Sequence, residues 1–97
     1  MNKKPLSKAL KTLEELQNIP RPKLYTVEYT DGTTEKLDDV EILLNAIRQR
    51  AYRETDPDYK TYKKIICRAG TATAQNFELA IDLVRRIGKP DPEIVEV

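Results

Sequence analysis

The side chains that could carry out chemistry in this chain are carboxylates, tyrosines and a single thiol, because the sequence contains no histidine. Histidine is the commonest general base and the commonest metal ligand. The only serine, Ser7, stands where a helix N-cap is expected. Cys67 follows two isoleucines in an apolar run, which is typical of a buried, unreactive cysteine. We therefore expect no nucleophilic catalysis, and the sequence predicts that the protein is not an enzyme.

Carboxylates leave one catalytic route open, since a magnesium site needs only a few oxygen ligands. Asp31 follows a strand-like run and precedes a glycine, which is typical of a turn. Asp38 and Asp56 stand at predicted helix N-caps. These structural roles explain the acids, so we expect no metal and no cofactor. The acids considered are Asp31, Asp38, Asp39, Glu41, Asp56 and Asp58.

Positive charge is concentrated in the second half of the chain. Residues 48–89 hold ten basic and five acidic side chains, although the whole chain is nearly neutral with 17 basic and 16 acidic residues. Tyrosines lie among these cations, a mixture suited to phosphate contact with stacking. The alternative is that these cations have no partner and simply lie on the solvated face of an amphipathic helix. The predicted partner-binding residues are Arg48, Arg53, Lys60, Lys63, Lys64 and Arg68.

The elements that position these residues follow from periodicity. Apolar spacing predicts a first helix over 7–17, and alternation predicts a β-hairpin over 25–37 with its turn at Asp31-Gly32. Asp38 and Glu41 form a capping-box pattern before a second helix. A third helix is predicted over 56–69, and a fourth from near Thr73 to Gly88. The tail at 93–97 could add a strand or lie loose.

The predicted fold class is therefore α+β: one small domain over 1–97, in the order α-β-β-α-α-α with an optional final strand. An antiparallel hairpin, three-stranded if the tail joins it, packs on three to four helices. The predicted core consists of Leu10, Leu13, Val27, Leu44, Ile47, Ile66, Phe77, Ile81 and Val84. No signal peptide or membrane-spanning run is apparent, so we expect a cytoplasmic protein with no membrane partner.

The segment from the third to the fourth predicted helix resembles the helix-turn-helix end of a small phage-repressor domain. Gly70 would be the turn glycine, with Ile65 and Leu79 at two of the apolar positions. Ile66 and Asn76 depart from the pattern, which covers about a third of the chain. The resemblance implies contact with DNA, but it assigns no individual residue to that role.

Two functions remain open from the sequence. The first is a small non-enzymatic binding module that acts stoichiometrically on a protein or nucleoprotein, as accessory and inhibitor proteins of phages and mobile elements do. The exposed edge of the hairpin would suit strand addition, with a partner or with a second copy in a homodimer. The alternative is a DNA- or RNA-binding regulator that uses the basic helices of residues 48–89.

Overall fold

A computed structural model describes residues 21–87 and 91–97 of the chain. These residues form a small α+β domain with a four-stranded mixed sheet and two α-helices. The elements are β1 (Tyr25–Tyr29), β2 (Thr34–Leu37), α1 (Asp39–Arg53), β3 (Tyr62–Cys67), a 3₁₀ turn (Thr71–Thr73), α2 (Gln75–Arg85) and β4 (Glu93–Glu96). The helix predicted over 7–17, with Leu10 and Leu13, lies outside the described residues. Within them, the prediction of three to four helices is wrong.

The predicted hairpin is confirmed as β1 and β2. Tyr25, Val27 and Tyr29 alternate with half-buried residues and turn inward, as a strand of period two requires. At the turn, the Thr33 N–H and hydroxyl both donate to the Asp31 carboxylate, at 3.0 and 2.6 Å. Gly32 has a φ of 88°, a conformation that favours glycine.

Helix α1 begins with the predicted capping box. The Asp38 carboxylate accepts hydrogen bonds from the N–H groups of Val40 and Glu41, and the Glu41 carboxylate accepts one from the Asp38 N–H. The apolar stripe of the helix is buried, including the predicted core residues Leu44 and Ile47.

The third predicted helix is wrong. Asp56 caps no helix there; its carboxylate instead accepts the N–H of Asp58 in a turn. Residues Tyr62–Cys67 form β3, which pairs antiparallel with β1. Ile66, predicted to be in the core, lies on the exposed side of this strand and is 36% exposed.

A β-bulge explains why β3 has the spacing of a helix. Tyr62 lies opposite Tyr29, whereas Lys64 lies opposite Glu28, so β3 contains one extra residue at this point. Tyr62 and Ile65 consequently face the core together although they are three residues apart. That spacing is the one expected on one face of a helix.

Helix α2 agrees closely with the fourth predicted helix, starting two residues later after the 3₁₀ turn. Phe77, Ile81 and Val84 are buried, as predicted. The tail forms β4, which pairs in parallel with β3 on the side away from the hairpin. Because Ile65 lies in a strand, the helix-turn-helix interpretation is wrong.

Both helices cover the same face of the sheet. Tyr25 of β1 stacks on Phe77 of α2, and the Tyr62 hydroxyl of β3 donates to the Ile42 carbonyl of α1 at 2.6 Å. The strand order β2-β1-β3-β4 makes β2 and β4 the sheet edges among the described residues. None of the helices described is both long and apolar enough to cross a membrane.

Candidate functional site

A polar cavity of about 200 Å³ lies between the β1–β2 hairpin, the second half of α1 and the segment that precedes β3. Two of the predicted partner-binding cations, Arg48 and Lys60, line it. We call it the cationic cavity. Its lining residues are Tyr29, Glu35, Asn45, Arg48, Gln49, Tyr59 and Lys60.

Hydrogen bonds hold the walls of the cationic cavity in place. The Tyr29 hydroxyl donates to the Glu35 carboxylate at 2.7 Å and accepts from the Asn45 amide at 3.1 Å. The Arg48 guanidinium donates to the Asn45 carbonyl oxygen at 3.3 Å. The Lys60 ammonium lies 4.3 Å from the centre of the Tyr29 ring, a cation–π geometry. Burial, with the bond to Glu35, raises the pKa of Tyr29 well above its usual range, so this hydroxyl remains a neutral donor.

Gln49 is a buried polar residue in the wall of this cavity. It is only 1% exposed, and its side-chain oxygen accepts the Tyr62 N–H at 3.3 Å. That bond fixes which end of the amide is oxygen, because a backbone N–H needs an acceptor. The amide nitrogen, Nε2, then has no hydrogen-bond partner among residues 21–87 and 91–97.

The structure brings together three of the six predicted partner-binding residues. Arg48 and Lys60 line the cationic cavity, and Arg53 lies next to it, where its guanidinium donates to the Tyr59 carbonyl at 2.9 Å. Tyr59 in turn packs against the half-exposed Tyr52, with ring centres 5.0 Å apart.

The other three predicted residues lie elsewhere. Lys63 is at the bulge, and its ammonium is 3.7 Å from the Glu28 carboxylate. Lys64 is flanked across the sheet by Glu28 on β1 and Glu93 on β4. Arg68 is exposed beyond the opposite end of β3. A third helix would have set the polar face with Lys60, Lys63 and Lys64 beside that of α1, but residues Tyr62–Cys67 form a strand, so the six cations are divided between these places.

Sequence reasoning missed four residues of the cationic cavity: Tyr29, Glu35, Asn45 and Gln49. Gln49 carried a readable signal, since it follows Ile42 and Ala46 at helical spacing and is a polar residue on an apolar stripe. A polar side chain at a buried position must find a partner, so it marks a packing or binding role. Glu35 carried no such signal, because its position depends on the pairing register of β1 and β2.

A second concave surface lies between α2 and the edge strand β4. This groove has a volume of about 340 Å³ and an apolar floor to which Ala72, Phe77, Ile81 and Ile94 contribute. Its charged lining residues are Glu78, Arg85 and Glu96. We call it the edge groove.

The backbone of β4 leaves hydrogen-bonding groups on the outer side of the sheet. Val97 pairs inward, its N–H donating to the Cys67 carbonyl at 2.8 Å and its carbonyl accepting the Ala69 N–H at 2.9 Å. Because a parallel strand alternates the direction of its backbone groups, those of Val95 also point to β3, and those of Ile94 and Glu96 point away. The side chains of Ile94 and Glu96 are also the ones that line the edge groove.

The charge of the edge groove is predominantly acidic. Arg85 is the cation among the described lining residues, and it pairs with Asp91 at 3.3 Å, which offsets its charge. Glu78 and Glu96 remain as the acids, and Glu96 also accepts the Gly70 N–H at 2.9 Å.

Across the described part of the chain, no three carboxylate or thiol side chains converge to form a metal site. No protein-family model matches this sequence, and neither a curated protein nor a solved structure is similar to it.

Proposed function

We propose that this protein is a non-enzymatic binding module that acts stoichiometrically on a protein partner, which it holds by strand addition to β4. The observation that carries the proposal is the coincidence of two features at one edge. The outward backbone groups of Ile94 and Glu96 lie directly beside the apolar edge groove.

This arrangement supplies both parts of strand-addition recognition. The main-chain hydrogen bonds of an added strand give affinity, and pockets for alternate side chains give specificity. A strand paired with Ile94 and Glu96 would direct every second side chain toward α2. Phe77 and Ile81, which are buried at the base of the groove, would be contacted by those side chains.

The charges of the groove indicate the chemistry of the partner segment. Glu78 and Glu96 both lie on the groove. An extended segment that alternates apolar residues with lysine or arginine is therefore the best complement.

A regulator of DNA or RNA is the second candidate function. It is supported by the group of Arg48, Arg53 and Lys60 beside Tyr52 and Tyr59, since cations next to aromatic rings suit phosphate contact and base stacking. A salt series on heparin, followed by duplex and single-strand titrations, tests it directly. A nucleic-acid binder elutes at high salt, and its affinity falls steeply as salt increases.

Selection of extended peptides from a random display library tests the strand-addition proposal. We expect the enriched peptides to alternate apolar and basic residues, and to perturb the amide NMR signals of Ile94 and Glu96 on binding. Glu96→Pro removes one outward N–H, and proline is tolerated on the outer side of an edge strand. This variant should weaken the selected peptides by about tenfold, the effect of one lost hydrogen bond of typical size.

Two matched variants separate strand addition from other effects. Glu96→Ala removes the same side chain but keeps the N–H, so it should bind more tightly than Glu96→Pro. Lys36→Pro alters the opposite edge strand, β2, and should leave binding unchanged. Binding is compared only for variants whose melting temperature equals that of the parent protein. Equal weakening in Glu96→Ala and Glu96→Pro, or peptides that bind only at β2, would contradict the proposal.

A further inference from the structure

We infer that the cationic cavity is a binding site for a small organic anion, one that carries a carboxylate or phosphate group with a hydroxyl or amino donor beside it. The cavity and the edge groove have no lining residue in common. The inference therefore stands independently of the proposed strand-addition function.

The size of the cavity restricts the ligand to a small molecule. Its volume of about 200 Å³ is far larger than a single buried water requires. It is smaller than the pockets of roughly 300–1,000 Å³ that take drug-sized ligands. A compact metabolite fits this range.

The charges of the cavity favour an anion. Among the described residues, Arg48 and Lys60 line it together with a single carboxylate, that of Glu35. One oxygen of Glu35 already accepts the Tyr29 hydroxyl, and the stacking of Lys60 over the Tyr29 ring places that ammonium at the cavity. A guanidinium and an ammonium at one cavity form the charge-assisted pairs by which proteins hold carboxylates and phosphates.

The neutral groups supply the rest of the recognition. Tyr29 and Asn45 line the cavity, and the Tyr29 hydroxyl and the Asn45 amide are held together by a hydrogen bond of 3.1 Å. The second oxygen of Glu35 would accept a hydrogen bond from the ligand's hydroxyl or amino group, which a simple anion such as chloride cannot provide.

Titration of the full-length ¹⁵N-labelled protein tests the inference with four probes: glycerate, glycerol 3-phosphate, inorganic phosphate and neutral glycerol. We expect saturable one-to-one binding of glycerate or glycerol 3-phosphate, with shifts at the amides of Arg48 and Lys60 and at the side-chain NH₂ of Gln49. Glycerol, which lacks the anionic group, should give no shifts. The two organic anions distinguish a carboxylate ligand from a phosphate ligand.

Charge-removing variants localise the binding. Lys60→Gln and Arg48→Gln should each weaken the bound anion by about tenfold or more, as expected for the loss of one charge-assisted hydrogen bond. Lys63→Gln and Arg68→Gln remove the same charge outside the cavity and should stay within about twofold of the parent protein, because neither side chain lines the cavity and water and salt weaken exposed charges.

Three results would overturn the inference. One is the absence of saturation for both organic anions. Another is equal weakening in the Lys60→Gln and Lys63→Gln variants. The third is an oligonucleotide that shifts the same amides when neither glycerate nor glycerol 3-phosphate does, which would assign these residues to nucleic-acid contact instead.

Discussion

At the level of single residues, Glu41 takes part in two interactions at the start of α1. Its carboxylate accepts the Asp38 N–H at 2.9 Å and also pairs with the Lys23 ammonium. Burial opposes ionisation of Glu41, but the bonds from Lys23 and from the Asp38 N–H lower its pKa below the usual value. The stability it contributes is therefore complete above the ordinary glutamate pKa, and it is lost as the pH falls through the lowered pKa.

Asp38 is the other half of this capping box and gives a direct test of it. Asp38→Ala should lower the free energy of unfolding by about 1 kcal/mol, because two N–H groups at the start of α1 lose their acceptor. In a domain of this size, the melting temperature should fall by about 4–8 °C. Asp58→Ala, in an exposed turn, is the matched control. Equal melting temperatures for the two variants would contradict the capping role.

At the scale of elements, the sequence predicts four of the six strands and helices that the structure describes, and leaves β4 open. The β1–β2 hairpin, α1 and α2 were predictable because each shows one clear period and a turn or cap signal. The strand β3 was not, because its bulge gives Tyr62 and Ile65 helical spacing. The course of the chain through residues 54–61 could not be predicted either, since Pro57 suits a turn as well as a helix start.

The strand β3, predicted as a helix, also determines which of the six predicted partner-binding residues lie at the cationic cavity. Arg48 and Lys60 were identified because cations cluster in the second half of the chain. Lys63 and Lys64 were grouped with them because a helix would place these lysines on its polar face. A strand places Lys64 between Glu28 and Glu93 instead, where cross-strand charge pairing accounts for it.

The bulge in β3 leads to a second test. Deletion of Lys63 removes the extra residue, so that Tyr62, Lys64 and Ile65 alternate in a regular strand and both apolar residues still face the core. We expect the free energy of unfolding to change by about 1 kcal/mol or less, because Lys63 is exposed and the deletion only reduces the local twist of the strand.

Deletion of Ile66 is the control for this experiment. It shifts Cys67 by one position and turns that buried residue to the other face of the sheet. The cost should exceed about 2 kcal/mol, as for other losses of a core contact. Chemical denaturation of both deletions gives the comparison. A larger loss for the Lys63 deletion than for the Ile66 deletion would contradict the assigned register.

For the whole molecule, three buried tyrosines connect the sheet to both helices and to the loop before α2. Tyr25 stacks on Phe77 at 5.2 Å, and its hydroxyl donates to the Thr71 carbonyl at 3.2 Å. Tyr62 stacks on Tyr29 at 5.6 Å. Burial raises the pKa of Tyr25 to about 12 and raises that of Tyr62 well above its usual value. The folded state therefore holds these phenols in their neutral form.

This arrangement predicts cooperative unfolding in alkali. A phenol whose folded pKa is raised contributes stability that is complete below the unfolded pKa of about 10, and that is lost as the pH rises through the folded value. In a Tyr52→Phe, Tyr59→Phe background, whose remaining tyrosines are buried, far-UV circular dichroism and tyrosinate absorbance should therefore change together, above about pH 10. Ionisation of these buried phenols while the circular dichroism stays native would contradict the prediction.

Tyr62→Phe and Tyr52→Phe test which phenols cause the alkaline transition. Tyr62→Phe removes the hydrogen bond to the Ile42 carbonyl and should cost about 1 kcal/mol at neutral pH. The same change removes one phenol that must ionise on unfolding, so stability should depend less steeply on pH above about 10. Tyr52 is half exposed, and its replacement should change neither property by more than about 0.5 kcal/mol. An unchanged pH dependence in Tyr62→Phe would show that its buried phenol does not drive the transition.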